Sequence, residues 1–385
     1  MNKPSCLLIA GEKSGEEHAL SFFHSLKTLN PEVSYFGVGG DELKSQGLEL
    51  LYHLNDFSSW GYSEVISKIP FYKEAMERLV NEVLKRKTKT AILIDFQSFN
   101  LKLAGKLKEH GVEVLYYVAP QAWAWKEYRV KKLAQYVHTL FTIIPFEKKW
   151  FGDRGVKNVI SIDHPLWTTY GDDLIHFKKN EFEVSQKKLE LLLLPGSRSF
   201  EVESLLAIFM EAVSELKKNI PIKLSIVKSS SVPSALYESY KNVFDEEYTN
   251  ENLTAALKKA DFCFAASGTV TLTTALYELP TIVCYKTSLL NQFIYETIVN
   301  YRGHISLANI VHNQLVFPEL LQDQVTSYNI VSHFSKWYYN NSERANVKMK
   351  LKLTKELVRG EKINIPQYMV EVIQKSYGKK INSIS

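Results

Sequence analysis

The apolar run Thr90 to Asp95 (TAILID) ends in a carboxylate. A side chain at the carboxyl tip of a strand faces the crevice where open α/β sheets bind ligands. There a carboxylate can take the proton of an attacking hydroxyl. Asp95 is therefore a candidate general base, with an Asx or helix-capping role as the plainer alternative. Further on, LLLLPGSR closes another apolar run with Gly196, Ser197 and Arg198. Backbone amides, a hydroxyl and a guanidinium at one turn can grip a diphosphate and offset the charge that gathers on it as it leaves. A surface pair between Arg198 and Glu201 is the competing account. AASGT sets Ser267, Gly268 and Thr269 at a second such turn, and two anion-ready turns in one half of a chain point to an extended nucleotide diphosphate.

Three other motifs carry chemistry. In LIAGEKSGEEHA, Gly11 and Gly15 permit tight geometry, and Ser14 with Glu17 has the spacing of a capping box for a helix from Gly15. That turn holds a hydroxyl or an anion, or is simply a capped βα turn; it is not G-x-G-x-x-G, which argues against a nicotinamide dinucleotide. In YYVAPQAWAWKEYRV, Trp123 and Trp125 stand near Lys126 and Arg129. Paired indoles can line an acceptor site with Arg129 reaching a phosphate, although two Trp so spaced cannot share a helix face and one of them can be core. PFEKKWF begins with Pro145 at a helix start and offers Trp150, Phe151, Lys148 and Lys149 as a membrane-touching corner or as ordinary packing.

The elements that position these residues follow from periodicity. Strands are expected at Cys6 to Ala10, Tyr35 to Val38, Thr90 to Asp95, Val112 to Val118 and Tyr136 to Ile143. Helices are expected at Gly15 to Leu29, Ile69 to Lys87 and Leu101 to His110. Near-continuously apolar strands separated by helices belong to a mostly parallel sheet covered on both faces. The pattern lapses between Asp163 and Lys188, the best domain junction, and a second α/β series begins at Leu189 and runs to Lys286. The tail from Val325 reads as helical, its last helix, Pro366 to Ser376, docking on the first domain or on another chain.

With 385 residues, the chain exceeds the size at which one core stops growing, so two domains are expected. Lys plus Arg number 47 against 42 for Asp plus Glu. A formal charge of +5 is too small to call for nucleic acid; it favours a phosphorylated ligand or an anionic membrane surface, or reflects a solvated surface. Cys6, Cys263 and Cys284 match neither a zinc motif nor a disulfide framework and read as buried thiols. The N-terminal apolar run meets charge too soon for a secretory signal, and no stretch reaches the ~18 apolar residues of a membrane span, so a cytoplasmic protein is expected. No Asp-x-Asp or His cluster sits at a strand end, so no metal is expected, with Gly171, Asp172 and Asp173 the place to check.

The set GEKSGE, GYSEV, IDFQSFN, APQAWAWK, PFEKKWF, LLPGSR, EVE, ASGT, SLANIV and FPELLQ, in order over nearly the whole chain, resembles the lipid-A-disaccharide synthases. These are glycosyltransferases of family 19 with the GT-B fold. The resemblance implies an α/β chain of two doubly wound Rossmann-like domains facing across a cleft. It places an acceptor-binding domain at 1–165, a nucleotide-sugar domain at 166–360 and a returning helix at 361–385. It implies transfer of 2,3-diacylglucosamine from UDP to 2,3-diacylglucosamine 1-phosphate without a cofactor, on the inner membrane's cytoplasmic side, in a dimer built through the C-terminal segment. Asp95 matches the family's catalytic carboxylate. Glu12, Ser14 and Glu64 match its acceptor-side polar residues, and Gly15, Trp125 and Arg129 join them as binding candidates from the motifs above. Gly196, Ser197, Arg198, Ser267, Gly268, Thr269 and Asn309 fall on the nucleotide side. Departures from the family pattern include Glu16 for Asp, Asp163 for Gly before His164, and Thr273 for a Glu expected to hold the ribose. A nucleotide-sugar epimerase, a transferase with an altered donor, and a non-catalytic UDP- or lipid-sugar-binding protein are the rival readings.

Overall fold

A computed structural model of the chain describes residues 3–57, 68–179, 182, 188–287 and 303–378. The chain divides into two compact units, Met1–Thr168 with Gly360–Ser385, and Thr169–Arg359. Each is built on one parallel sheet.

The first unit carries β1 (Ser5–Ala10), β2 (Ser34–Gly39), β3 (Glu49–His53), β4 (Thr90–Ile94), β5 (Glu113–Tyr117), β6 (Thr139–Thr142) and β7 (Val159–Ser161). Their order is β3-β2-β1-β4-β5-β6-β7. All six residues of β1 and all five of β4 are buried, as strands covered on both faces must be. The sheet runs outwards in opposite directions from β1 and β4, whose tips Ala10 and Ile94 are register partners. The switch point of a doubly wound sheet opens at that place.

The second unit carries β8 (Leu189–Leu194), β9 (Ile222–Lys228), β10 (Glu246–Thr249), β11 (Phe262–Ala266), β12 (Thr281–Tyr285) and β13 (Glu319–Leu321). Their order is β10-β9-β8-β11-β12-β13, so the switch point falls between β8 and β11. Tight packing of the apolar strands explains why Cys6, Cys263 and Cys284 are all buried free thiols.

Several short elements escape the periodicity. Strands β3, β7, β10 and β13 have three to five residues, mix polar with apolar side chains, and form the four sheet edges. The stretch read as a junction holds a helix, Pro165–His176, with the boundary between units at Thr168 and Thr169 inside it. The last helix, Ile365–Ser376, packs against the helix Lys13–Leu29 of the first unit by way of Met369, Val370 and Ile373. Tyr377 seals its end, its hydroxyl donating to the Ser5 carbonyl at 2.8 Å and accepting from Lys89 N–H at 3.1 Å. No described helix is long and apolar enough to cross a membrane.

Candidate functional site

In the first unit, Asp95 follows β4 directly and Glu12 follows β1 after Gly11, which puts two carboxylates at the switch point. Burial and the charge of Glu12 push Asp95 up to about 6, against a smaller opposing pull from the backbone N–H of Phe96. Burial also raises Glu12. Asp95 has φ 45° and Phe96 φ 44°, so two consecutive non-glycine residues occupy the left-handed region, a conformation that costs of order 1–3 kcal/mol each. The strand stops and the helix Gln97–Glu109 starts across this pair. The Phe96 ring lies against Phe57, Tyr72 and Phe99 and over Gly11, where an added Cβ would stand 2.9 Å from Phe96 Cδ1. Gly11 is thus required for space beside Asp95.

Ser14 does not cap the helix. The helix begins at Lys13, with Glu12 as the residue before its first turn, and Ser14 is exposed within that turn. The expected start lies two residues late because Glu12, in extended conformation, already ends the strand-to-helix turn. Gly15 is buried against the Ala10 backbone and the Ile94 carbonyl, where a Cβ would make contacts of 3.5 and 3.7 Å. Glu16 reaches Leu43 N–H and lies where a side chain at Gly40 would stand, so the longer acid ties the helix to the segment after β2. Glu64 and the GYSEV motif lie outside the described residues.

The indole pair splits. Trp123 donates to the buried Glu147 carboxylate at 2.8 Å, and burial pushes Glu147 up to about 7 despite that bond. Trp125 lies under two cations, Lys126 at 3.9 Å and Arg129 at 5.3 Å from the ring centroid. Neither indole lies on a helix. Arg129 does not reach out to a phosphate: it is 4% exposed, and its guanidinium donates to Gln97 Oε1 at 2.6 Å and Ser98 Oγ at 3.1 Å. It therefore fastens the two residues that follow Phe96. Phe151 is core, which leaves Trp150 half-buried beneath Arg154.

In the second unit, Gly196, Ser197 and Arg198 follow β8, and Ser267, Gly268 and Thr269 follow β11, so both turns flank that sheet's switch point. Arg198 is 70% exposed at its side chain and pairs with Glu201 at 3.0 Å. Glu201 also accepts the backbone N–H groups of Ser197 (2.9 Å) and Arg198 (3.2 Å). The amides expected to be open to a phosphate thus hold an internal carboxylate. Gly196 makes this possible with φ 126° and no Cβ, since one would fall 2.5 Å from Glu201. Beside this turn, a cavity of about 590 Å³ is lined by Lys228, Ser229, Ser231, Tyr237 and Thr249. The serine run after β9 was its unnoticed signal.

Asn309 lies in the interior of the second unit. It is fully buried, and its amide donates to Phe317 O and Glu319 Oε1 while its carbonyl accepts Val316 N–H and Phe317 N–H. All its hydrogen-bonding capacity is spent inside the unit. Glu319, accepting Ile305 and Ser306 N–H as well, completes this clamp. Thr273 is likewise 2% exposed, its hydroxyl turned to the Thr269 carbonyl. Asp173 accepts from Tyr277 at 2.5 Å and pairs with Lys258.

The architecture is that of known sugar-nucleotide enzymes. A UDP-N-acetylglucosamine 2-epimerase superposes with TM-score 0.54 at 12% identity, all of each chain covered. The calicheamicin glycosyltransferase CalG4 gives 0.54 at 10% identity, again over all of both chains. Those identities establish fold alone. In sequence, the chain is 31% identical to the lipid-A-disaccharide synthase of Myxococcus xanthus over 348 residues, 89% of this chain and 90% of that one. It is 28% identical to the synthase of Francisella philomiragia over 383 residues, 96% of this chain and 99% of that one. The family model described as lipid-A-disaccharide synthetase matches residues 6–373. The GT-B type α/β fold and this near-complete match together establish that the chain belongs to the lipid-A-disaccharide synthetase family.

Proposed function

We propose that this chain is an inverting glycosyltransferase that moves 2,3-diacylglucosamine from UDP to the 6-hydroxyl of 2,3-diacylglucosamine 1-phosphate. The observation that carries this reading is that chemistry stands at both switch points, with a half-buried carboxylate held near 6 after one sheet and two amide-bearing turns after the other. In the proposed step, Asp95 takes the acceptor's hydroxyl proton as its oxygen bonds to the anomeric carbon. The bond from that carbon to the UDP oxygen breaks in the same displacement, which inverts the centre and gives the β-1',6 linkage. Arg198 and the turns at Ser197 and Gly268 receive the charge that grows on the departing diphosphate. A base near 6 is ionised at neutral pH yet stronger than an ordinary carboxylate, as its task requires.

For the diphosphate to use the amides after β8, Glu201 must yield them. The neighbouring serine-lined cavity is proposed to take the nucleoside. Thr273 does not offer the carboxylate that the family pattern assigns to the ribose, so the ribose is proposed to be held by other groups. Acyl-bearing substrates support a protein working at the cytoplasmic face of the inner membrane, to which the net positive charge would be drawn. Pairing of two chains through the helix Ile365–Ser376 is proposed on the strength of its separability, since it reaches the first unit only after the whole second unit.

Purified protein given UDP-2,3-diacylglucosamine and the 1-phosphate acceptor should yield UDP and a disaccharide 1-phosphate, detected by mass. Conversion of the donor alone to an epimer would favour the rival enzyme. UDP binding without transfer would leave a binding protein.

A further inference from the structure

We propose that Asn100 and Tyr116 are positioning residues for the reaction, holding the Asp95 backbone in the left-handed conformation that fixes the direction of its carboxylate. The inference rests on Asp95 as the base. Asp enters the left-handed region only occasionally and Phe hardly at all, so two such residues in succession need restraint from outside the pair.

Three restraints meet there. The Asp95 N–H donates to the Tyr117 carbonyl at 2.9 Å, which keeps the residue attached to the sheet. Its carbonyl accepts two donors at once, Asn100 Nδ2 at 2.9 Å and the Tyr116 hydroxyl at 3.0 Å. Asn100 spends its other amide proton on the preceding carbonyl, Ile94, at 3.0 Å. One amide group thereby spans the last residue of β4 and the first beyond it. Both positioning side chains are completely buried, Asn100 in the helix that follows the turn and Tyr116 on the neighbouring strand, where it is register partner to Leu93.

Asn100 Oδ1 has no protein partner although it is buried. A residue chosen only for packing would not leave a buried acceptor empty, because that is costly. A residue chosen to donate twice to consecutive carbonyls has to leave its own carbonyl wherever the clamp puts it. Asp in its place would set a second acceptor against both carbonyls, and Ala would release them.

The test compares Tyr116→Phe, Asn100→Ala and Asp95→Asn with wild type in the transfer assay. Tyr35→Phe is the control: Tyr35 is a buried tyrosine of β2 whose hydroxyl has no protein partner. The expected result is a fall in kcat of about tenfold or more in the first two variants, about 1.4 kcal/mol of barrier. KM for either substrate should stay within about twofold. The acid limb of the pH profile should move below its wild-type position as the carboxylate leaves its buried setting, and Tyr35→Phe should match wild type. If Asn100→Ala does not fold, Tyr116→Phe decides alone, since it removes one oxygen. Wild-type kcat and pH profile in Tyr116→Phe, with Asp95→Asn inactive, would overturn the positioning role and leave the base in place. Full activity in Asp95→Asn would overturn the base, and the positioning role with it.

Discussion

The carboxylate of Asp163 accepts the backbone N–H of Gly360 at 2.7 Å. This bond fixes the chain where it re-enters the first unit, and the neighbouring Ser161 and Glu361 add a backbone bond of 2.8 Å. It also gives Asp163 a physical role: the side chain supplies an acceptor for the returning chain. Gly360 has no room for more, since an added Cβ would fall 2.3 Å from the Ile162 backbone.

Gly360→Ala is expected to destabilise the first unit by about 1–3 kcal/mol through backbone displacement. Asp163→Ala should cost about 1 kcal/mol, because only one largely solvated hydrogen bond is lost. Urea unfolding monitored in both variants checks the order; a harmless Gly360→Ala would show that the return segment has slack.

Asp95 links catalysis to stability with opposite signs. Its carboxyl is held at about 6, above its ordinary range, chiefly by burial. The folded state therefore favours the protonated acid, and this contribution is lost as pH rises from about 4 through about 6. Asp95→Asn should raise the melting temperature at pH 8 while lowering turnover by roughly 10²–10⁴. Wild-type kcat/KM should climb as pH passes about 6, where the carboxylate appears. A profile flat between pH 5 and 8 would argue against Asp95 as the group that must be ionised.

Arg198 and Glu201 separate binding from folding. An exposed pair of this spacing adds little stability, so Arg198→Ala should change it by under about 0.5 kcal/mol. A charge-assisted contact to a diphosphate is worth about 1.5–3 kcal/mol, and the same variant should weaken UDP binding about tenfold or more. Calorimetric titration with UDP measures it. Identical affinity in wild type and variant would remove Arg198 from the site.

Asn309 belongs to the opposite class. Asn309→Ala should destabilise the second unit by at least about 2 kcal/mol, since it strands the buried N–H groups of Val316 and Phe317 and loosens Glu319. Any loss of activity should follow the loss of fold, as read by melting temperature and turnover on the same sample. Lost activity at unchanged stability would return Asn309 to the ligand side.

What the sequence made legible was the alternation of strand and helix around Asp95, Arg198 and Ser267, because apolar runs covered on both faces leave a strong signal. Residue type did not reveal which way a side chain spends its hydrogen bonds. Asn309 and Arg129 look like ligand contacts in a motif, yet their partners, Val316 and Phe317 for one and Gln97 and Ser98 for the other, are set by tertiary packing. Asn100 stood in plain view within IDFQSFN, but its proposed role depends on two consecutive positive φ angles at Asp95 and Phe96, a pairing that residue type does not announce. The edge strands were hidden for a different reason: EEYT and ELL pair through their backbones and bury too few side chains to show a period.

The helix Ile365–Ser376 lies in the unit that begins at the other end of the chain. During synthesis on a ribosome, the second unit has all its residues before the first unit is complete. Until Met369 and Ile373 emerge, the part of Lys13–Leu29 that they cover stays open, and exposed apolar surface of this kind is prone to aggregation. The earliest-made half of this protein is therefore the last to be finished.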